Sequence, residues 1–181
     1  MMQNLGWTWA QTVVLLAAII ALGGAVLTAT VTYALNQRTA RRERQARSFA
    51  EALAAIEEYA EMPYRIRRRT RSEEGRYELS EKISDVQARM AFHQAWLSIE
   101  SVDLGNAYKE LVAMAKKQAG GQMKEAWKEP ILTRDAQMIL KQAYSRDKID
   151  DARESCVVLM RMNLGRVTRR SVRINRGGVE P

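Results

Sequence analysis

The apolar and polar positions divide the chain into one long uncharged segment and a series of amphipathic ones. Residues 12–35 (TVVLLAAIIALGGAVLTATVTYAL) contain no charged side chain, and the first one after them is Arg38. A helix over this segment is about 36 Å long, which is enough to cross a hydrocarbon core of about 30 Å. The pattern therefore predicts a transmembrane helix over 12–35.

A heptad-like stripe follows the apolar segment. Nothing between 36 and 62 breaks a helix, and apolar residues recur there at spacings of 3, 4, 3 and 4, namely Ala46, Phe49, Leu53, Ile56 and Ala60. This predicts a juxtamembrane helix over 36–62 that ends at Pro63. Glutamates 51, 57, 58 and 61 lie on the opposite face. The last three could form a paired-carboxylate site, but the expectation is a solvated face that offsets nearby arginines. The pattern leaves open whether this helix packs on the rest of the chain or stands away as a stalk.

Residues 63–78 show no apolar periodicity and contain a dense run of arginines. They are predicted to form an exposed basic linker, with a turn at 72–75. Amphipathic segments then return over 79–164, and the clearest has its stripe at Leu79, Ile83, Val86, Met90, His93 and Leu97. Phe92, Trp96 and Ile99 widen that face, which favours burial on more than one side and hence a helical bundle.

Further stripes begin at Leu104, Ala136 and Ile149, and Thr133 is the expected N-cap of the second. Gly120 and Gly121 disfavour helix, so the segment from 104 to 127 is expected to form one bent helix or two short ones. The predicted fold is all-α, with one N-terminal transmembrane helix that continues into a cytoplasmic helical bundle. The arginine-rich residues 165–181 are predicted to be a basic disordered tail.

Composition and charge agree with a helical membrane protein. The chain of 181 residues is poor in Pro and Phe and has a formal net charge of +8. Basic residues that follow a span, here Arg38, Arg41, Arg42 and Arg44, remain in the cytoplasm, so residues 1–11 are expected outside the cell membrane. A cleaved signal peptide is the alternative, but it needs a basic start and a shorter apolar core.

Small residues recur on one face of the predicted span, at Ala17, Ala21, Gly24 and Thr28. Such faces allow close packing of helices in lipid, so they are candidates for self-association there. The alternative is that these residues are simply common in membrane helices.

No set of residues predicts a catalytic, metal or cofactor site. His93 is the only histidine and Cys156 the only cysteine, and both fall on apolar stripes, where they are expected to be packed core residues. Glycine-rich nucleotide-binding motifs are absent. A single cysteine also excludes an intrachain disulfide and suits a reducing compartment.

The arginines are the strongest indication of binding. Those assigned to contact with anionic lipid or a partner are Arg38, Arg41, Arg42, Arg44, Arg65, Arg67, Arg68 and Arg69. The expected partners are a bilayer with an anionic inner leaflet and either a protein or a second copy of the chain. Nucleic acid is a further possible partner, but few aromatic residues lie among the arginines to stack on bases. A solvated basic surface without a specific partner is the plain alternative.

The strings AIEEYAEMPYRIRRR (55–69) and SDVQARMAFHQAWL (84–97) resemble a set of uncharacterised single-pass membrane proteins from high-GC actinobacteria and their phages. The resemblance covers most of the chain. It implies the same topology and a helical cytoplasmic part, and it brings no activity or binding site.

Three functional hypotheses follow, and they belong to different classes. The first is a non-enzymatic membrane tether or adaptor that presents a cytoplasmic helical interaction domain. The second is a membrane-perturbing oligomer, such as a phage lysis or holin-like factor, and a large folded domain argues against it. An enzyme with an unfamiliar site is a third, which no recognisable catalytic set supports.

Overall fold

A computed structural model describes residues 9–132, 134, 137 and 144–174, with no side-chain description at 10 and 166–174. The described residues form five helices and no strand. They are α1 (Trp9–Ala60), α2 (Met62–Arg67), α3 (Glu73–Glu100), α4 (Val102–Lys128) and α5 (Asp147–Ile174). The all-α class is therefore confirmed.

The chain divides into two compact units, Met1–Arg44 and Gln45–Pro181. In the first unit, α1 contains an 18-residue window with a mean hydropathy of 2.4, none of which is buried. This is the one helix in the described part of the chain that is long and apolar enough to cross a membrane. The structure thus contains a candidate span where the sequence predicts it.

The second unit has its own hydrophobic core. Helix α4 lies at its centre and packs against α2, α3 and α5. The end of α1 contributes Phe49, Ala52, Ala55, Ile56 and Tyr59 to the same core. Residues 45–60 are therefore part of the bundle and do not form a free stalk.

The predicted core stripes are largely confirmed. Val86, Met90, His93 and Leu97 of α3 are buried. On α4, Leu104, where the next stripe begins, is also buried, and the residues that continue its helical spacing are buried with it, namely Tyr108, Leu111, Val112 and Ala115. The prediction that Phe92 and Ile99 widen the buried face of α3 is wrong, because Phe92 is 65% exposed and Ile99 is 86% exposed. The bundle therefore covers one side of α3 and leaves the opposite side open.

The boundaries of two predicted segments are also corrected. Instead of a linker over 63–78, the chain forms α2 and the first turns of α3, with Pro63 and Ile66 buried. Residues 72–75 start α3, where the Ser72 side chain accepts a hydrogen bond from the backbone N–H of Gly75 and acts as the N-cap.

Helix α5 extends to Ile174, so residues 165–174 of the predicted disordered tail are helical. Residues 175–181 lie outside the described residues, as do 1–8, the expected N-cap Thr133 and most of the helix expected after it. In contrast, α4 runs through Gly120 and Gly121 as one helix. The alternative of two short helices is therefore wrong.

Glycine 105 allows α3 and α4 to approach closely. A Cβ atom at this position would lie 2.4 Å from Ser98 Oγ and 2.6 Å from Ser98 Cα, and the second distance involves backbone that cannot rotate away. At Gly121, in the same helix, a Cβ atom would meet nothing within 4 Å. The two glycines thus form a matched pair for a substitution test.

We expect Gly105→Ala to destabilise the bundle by about 1–3 kcal/mol, because α3 and α4 must move apart. Gly121→Ala should stabilise it by about 0.4–1 kcal/mol, because alanine favours the helix there. Denaturant unfolding of the full chain in mild detergent, followed by tryptophan fluorescence, measures both. Equal effects of the two substitutions would contradict the close approach at Gly105.

Candidate functional site

Two glutamates on α1 connect three other helices through ion pairs. Glu57 binds Arg146 and, at 2.6 Å between Arg153 Nη1 and Glu57 Oε1, Arg153 of α5. Glu58 binds Arg89 and, at 2.9 Å from Lys82 Nζ, Lys82 of α3. Glu58 also lies 4.0 Å from Arg65 of α2. Both glutamates thus offset arginines, as expected, but the face that they form is only partly exposed to solvent.

The cations keep both carboxylates ionised. Partial burial alone would raise the pKa of Glu57, but hydrogen bonds and charge from Arg146 and Arg153 lower it below the ordinary value. The hydrogen bond from Arg89, assisted by Lys82, outweighs partial burial and lowers the pKa of Glu58. Carboxylates held in this way accept hydrogen bonds and do not act as proton donors near neutral pH. Their arrangement suits the joining of helices.

The arginine run of α2 and the following residues caps α4. Arg69 donates hydrogen bonds to the carbonyl oxygens of Ala126 (3.0 Å), Trp127 (3.2 Å) and Glu129 (2.8 Å), and its guanidinium carbon lies 5.0 Å from the centre of the Trp127 ring. Arg67 donates to the carbonyl oxygen of Pro130 at 3.0 Å. The last carbonyls of a helix lack partners within it and carry partial negative charge. These arginines satisfy some of those carbonyls and oppose that charge.

The predicted lipid or partner contacts are therefore of two kinds. Arg67 and Arg69 already bind the chain's own backbone, and the predicted contact of these two with lipid or a partner stays a prediction. Arg65 and Arg68 are exposed, and Arg68 Nε donates to the carbonyl of Tyr64, four residues earlier, at 3.2 Å. In the first unit, the side chains of Arg38, Arg41, Arg42 and Arg44 are all exposed on α1.

An open cavity of about 520 Å³ lies beside the arginine run. Its cations are Arg65, Arg68, Arg69 and Lys82, and its carboxylates are Glu74 and Glu78. Three of the four cations already face Glu58 or the end of α4. The cavity can attract an anion weakly, but its charge is largely balanced from within.

His93 and Cys156, the only histidine and the only cysteine of the chain, are both buried as core residues. His93 is buried on α3, and this burial lowers its pKa, while the charge of Glu51 opposes the shift. Cys156 is fully buried, and its burial raises the pKa of the thiol to about 11. A thiol with such a pKa is protonated and unreactive at neutral pH. Among the described residues, no three His, Cys, Asp or Glu side chains are arranged to hold a metal ion.

The small-residue face of the candidate span is open in the single chain. Ala17, Ala21, Gly24 and Thr28 are exposed, and a Cβ atom on Gly24 would meet nothing within 4 Å. The hydroxyl of Thr28 donates to the Gly24 carbonyl at 2.8 Å, so this polar group has a partner within its own helix. The face can therefore meet either lipid or another helix without an unsatisfied hydroxyl.

Sequence reasoning did not find the partners of the two glutamates. Arg146 and Arg153 lie some ninety residues after Glu57 along the chain, and no spacing rule connects positions so far apart. Glutamates next to an apolar stripe were the only available signal. A comparison of the chain with family models, curated proteins and solved structures found no match.

We expect Arg69→Ala to destabilise the bundle by about 1–3 kcal/mol, because several carbonyls at the end of α4 lose their donor. Arg69→Lys should recover only part of this, since an ammonium cannot reproduce the fork of a guanidinium. Arg68→Ala, at an exposed position of the same run, should change stability by less than about 0.5 kcal/mol. Denaturant unfolding of the full chain provides the comparison, and equal losses at 68 and 69 would contradict the capping role.

The stability of the bundle should fall in two steps as the pH decreases. Because the pKa of folded His93 is lowered, protonation favours the unfolded chain, and stability is lost as the pH falls below about 6.5. The lowered pKa values of Glu57 and Glu58 place a second loss below about pH 4.5. Unfolding at several pH values should show that His93→Gln removes the first step and keeps the second. A first step that survives in His93→Gln would contradict this assignment.

Proposed function

We propose that the protein is a non-enzymatic single-pass membrane protein that presents a helical interaction domain in the cytoplasm. The observation that carries the proposal is the exposure of the apolar part of α1. Eleven of its aliphatic side chains, between Val13 and Leu35, are 50–73% exposed. At about 1.5–3 kcal/mol for complete burial of such a side chain, lipid would stabilise this segment by roughly 10 kcal/mol or more. That is comparable to the whole stability of a domain.

The exposed arginines that follow the segment support the orientation. Arg38, Arg41, Arg42 and Arg44 begin three residues after Leu35, within the distance over which basic residues determine topology. They also suit contact with an anionic inner leaflet, at about 1 kcal/mol for each residue near the surface. The bundle from Gln45 onward then belongs to the cytoplasm, and the protein to the cell membrane.

The bundle itself supports the role of an interaction domain. Glu57 and Glu58, whose pKa values are lowered, join helices, and His93 and Cys156 are buried in the core. Its core is formed by helices from the whole described length of the second unit. A membrane-perturbing oligomer has no need of such a unit, so the lysis or holin-like alternative has less support.

We expect the full chain to remain in the membrane after washing with alkaline carbonate and to keep its complete mass. A reporter that functions only in the cytoplasm should be active when it is fused after Pro181. A reporter that functions only outside the membrane should be inactive there. Replacement of Arg38, Arg41, Arg42 and Arg44 by glutamine should reduce the fraction of chains with this orientation. As the matched control, we replace Arg68 and Arg76 by glutamine. These two arginines lie far from the apolar segment along the chain, so the orientation should stay unchanged.

Three results would contradict the proposal. Loss of the first residues from the mature chain would indicate a cleaved signal peptide. Recovery in the carbonate wash would exclude a membrane span. Collapse of the membrane potential on controlled expression, prevented by Gly24→Leu, would favour the membrane-perturbing alternative.

A further inference from the structure

Helix α4 presents a row of lysines on the side that faces away from the core. Lys117, Lys124 and Lys128 are exposed, and their spacings of 7 and 4 place them on one face of the helix. In the part of the chain that the structure describes, Lys117 and Lys124 form no ion pair, and Lys128 pairs only with Glu125 of its own helix, at 2.8 Å. We call these three lysines the lysine ridge. Cations one turn apart repel each other, so an anionic surface opposite the ridge would stabilise it.

Helix α3 presents a row of carboxylates. Glu74, Glu78, Glu81 and Asp85 are exposed and spaced 4, 3 and 4, and we call them the acidic row. Among the described residues, none of the four forms an ion pair, although Glu74 and Glu78 line the cavity beside the arginine run. The single chain therefore leaves most of the ridge and all of the row unpaired.

The two helices that carry these rows run antiparallel and side by side. They pack against each other and are connected by Ser101 alone. Near the connection, the Cβ position of Gly105 lies 2.6 Å from Ser98 Cα. Farther along, the Tyr59 side chain forms a hydrogen bond with Gln87 of α3, and its hydroxyl lies 3.5 Å from the Cβ position of Gly120 in α4. Residues equally far from Ser101 are therefore at similar levels of the bundle.

The lysine ridge and the acidic row lie at the same level. Each lysine of the ridge has one carboxylate of the row at the same distance from Ser101 along the chain. The distances are 16 residues for Asp85 and Lys117, 23 for Glu78 and Lys124, and 27 for Glu74 and Lys128. Two bundles that stand side by side and parallel can therefore bring a ridge opposite a row without a shift along the helices.

We infer that the lysine ridge of α4 is a docking surface for the acidic row of α3 in a second copy of this chain. Opposite charges at matched levels select this pairing. The inference rests on the proposed membrane attachment, because a shared membrane holds the copies in the same direction and at a high local concentration. That concentration is needed, since exposed ion pairs contribute little individually.

The surroundings of the ridge favour this occupant over nucleic acid. Gly120 and Gly121 separate its lysines, and the described part of α4 has no exposed aromatic side chain to stack on bases. A Cβ atom on Gly121 would meet nothing within 4 Å, so this position is open to a facing side chain. Glu81 and Gly121 are each 20 residues from Ser101. The fourth carboxylate of the row is thus level with the open position.

The two surfaces differ, so each copy binds one neighbour through its ridge and another through its row. Contacts of this head-to-tail kind join more than two copies, either into a closed ring or into an open chain. The contact is therefore recognised when a position on α4 of one copy is joined to a position on α3 of another.

The test uses two differently tagged forms of the full chain in one membrane, each with one added cysteine. One form carries Glu81→Cys on α3, and the other carries Gly121→Cys on α4. The native Cys156 is fully buried, so the wild-type chain reports the background. A short bifunctional maleimide should join the two forms into a product of two 20.6-kDa chains about tenfold more efficiently than it joins two copies of either form. Ser155→Cys, exposed on α5, replaces Gly121→Cys as the matched control and should give only the lower yield.

An exchange of charge connects the mixed product to the two rows. Lys117→Glu with Lys124→Glu, added to the Gly121→Cys form, should reduce the mixed product about tenfold, because carboxylates would then face carboxylates. Glu78→Lys with Asp85→Lys, added to the Glu81→Cys form, should restore it. All four positions are exposed, and unchanged tryptophan fluorescence of each variant checks that the bundle is intact.

The outcomes separate this inference from the proposed function. A chain recovered outside the membrane fraction refutes the tether. A chain that stays in the membrane but gives equal mixed products with Gly121→Cys and Ser155→Cys refutes the docking surface alone. A mixed product that the charge exchange does not restore shows that the copies meet through other contacts, and one that nuclease removes shows that nucleic acid bridges them. A product of another mass shows that a different protein covers the ridge. Each of these last three results overturns the inference.

Discussion

The folded unit depends on the burial of the last four turns of α1 among the other helices. Ala52 and Ala55 are completely buried there, and their small side chains let α4 approach so closely that the Tyr108 hydroxyl donates to the Ala52 carbonyl at 2.9 Å. Burial of the phenol raises the pKa of Tyr108, so this donor keeps its proton. One helix therefore contributes both the apolar segment of the first unit and part of the core of the second.

Charge is used within the bundle to connect helices rather than to create a reactive site. Glu57 joins α1 to α5, Glu58 joins it to α3, and Arg67 and Arg69 join α2 to the end of α4. These partly exposed pairs contribute modestly to stability, since water screens them. Their value lies in fixing which helices are neighbours, because a different arrangement would leave several charges without partners.

Much of the fold follows from local pattern. The apolar segment, the class and most of the core were predictable, since each depends on the residues of a single helix. The errors have a common physical origin. Arginines 65–71 look like a free basic linker because no local signal shows that the end of α4 needs donors at that place. Likewise, Phe92 looks like a core residue because periodicity identifies apolar positions without telling which of two faces will be covered.

The sequence by itself determined that residues 12–35 form an uncharged apolar segment long enough to be a candidate membrane span, because charge and hydropathy are properties of the residues themselves. It also determined the amphipathic stripes of the later helices, because their period is a property of the helix. Only the tertiary structure decided which arginines cap α4, which cations hold Glu57 and Glu58, and which side of α3 stays open. Those outcomes depend on contacts between residues far apart in the chain, where spacing carries no information.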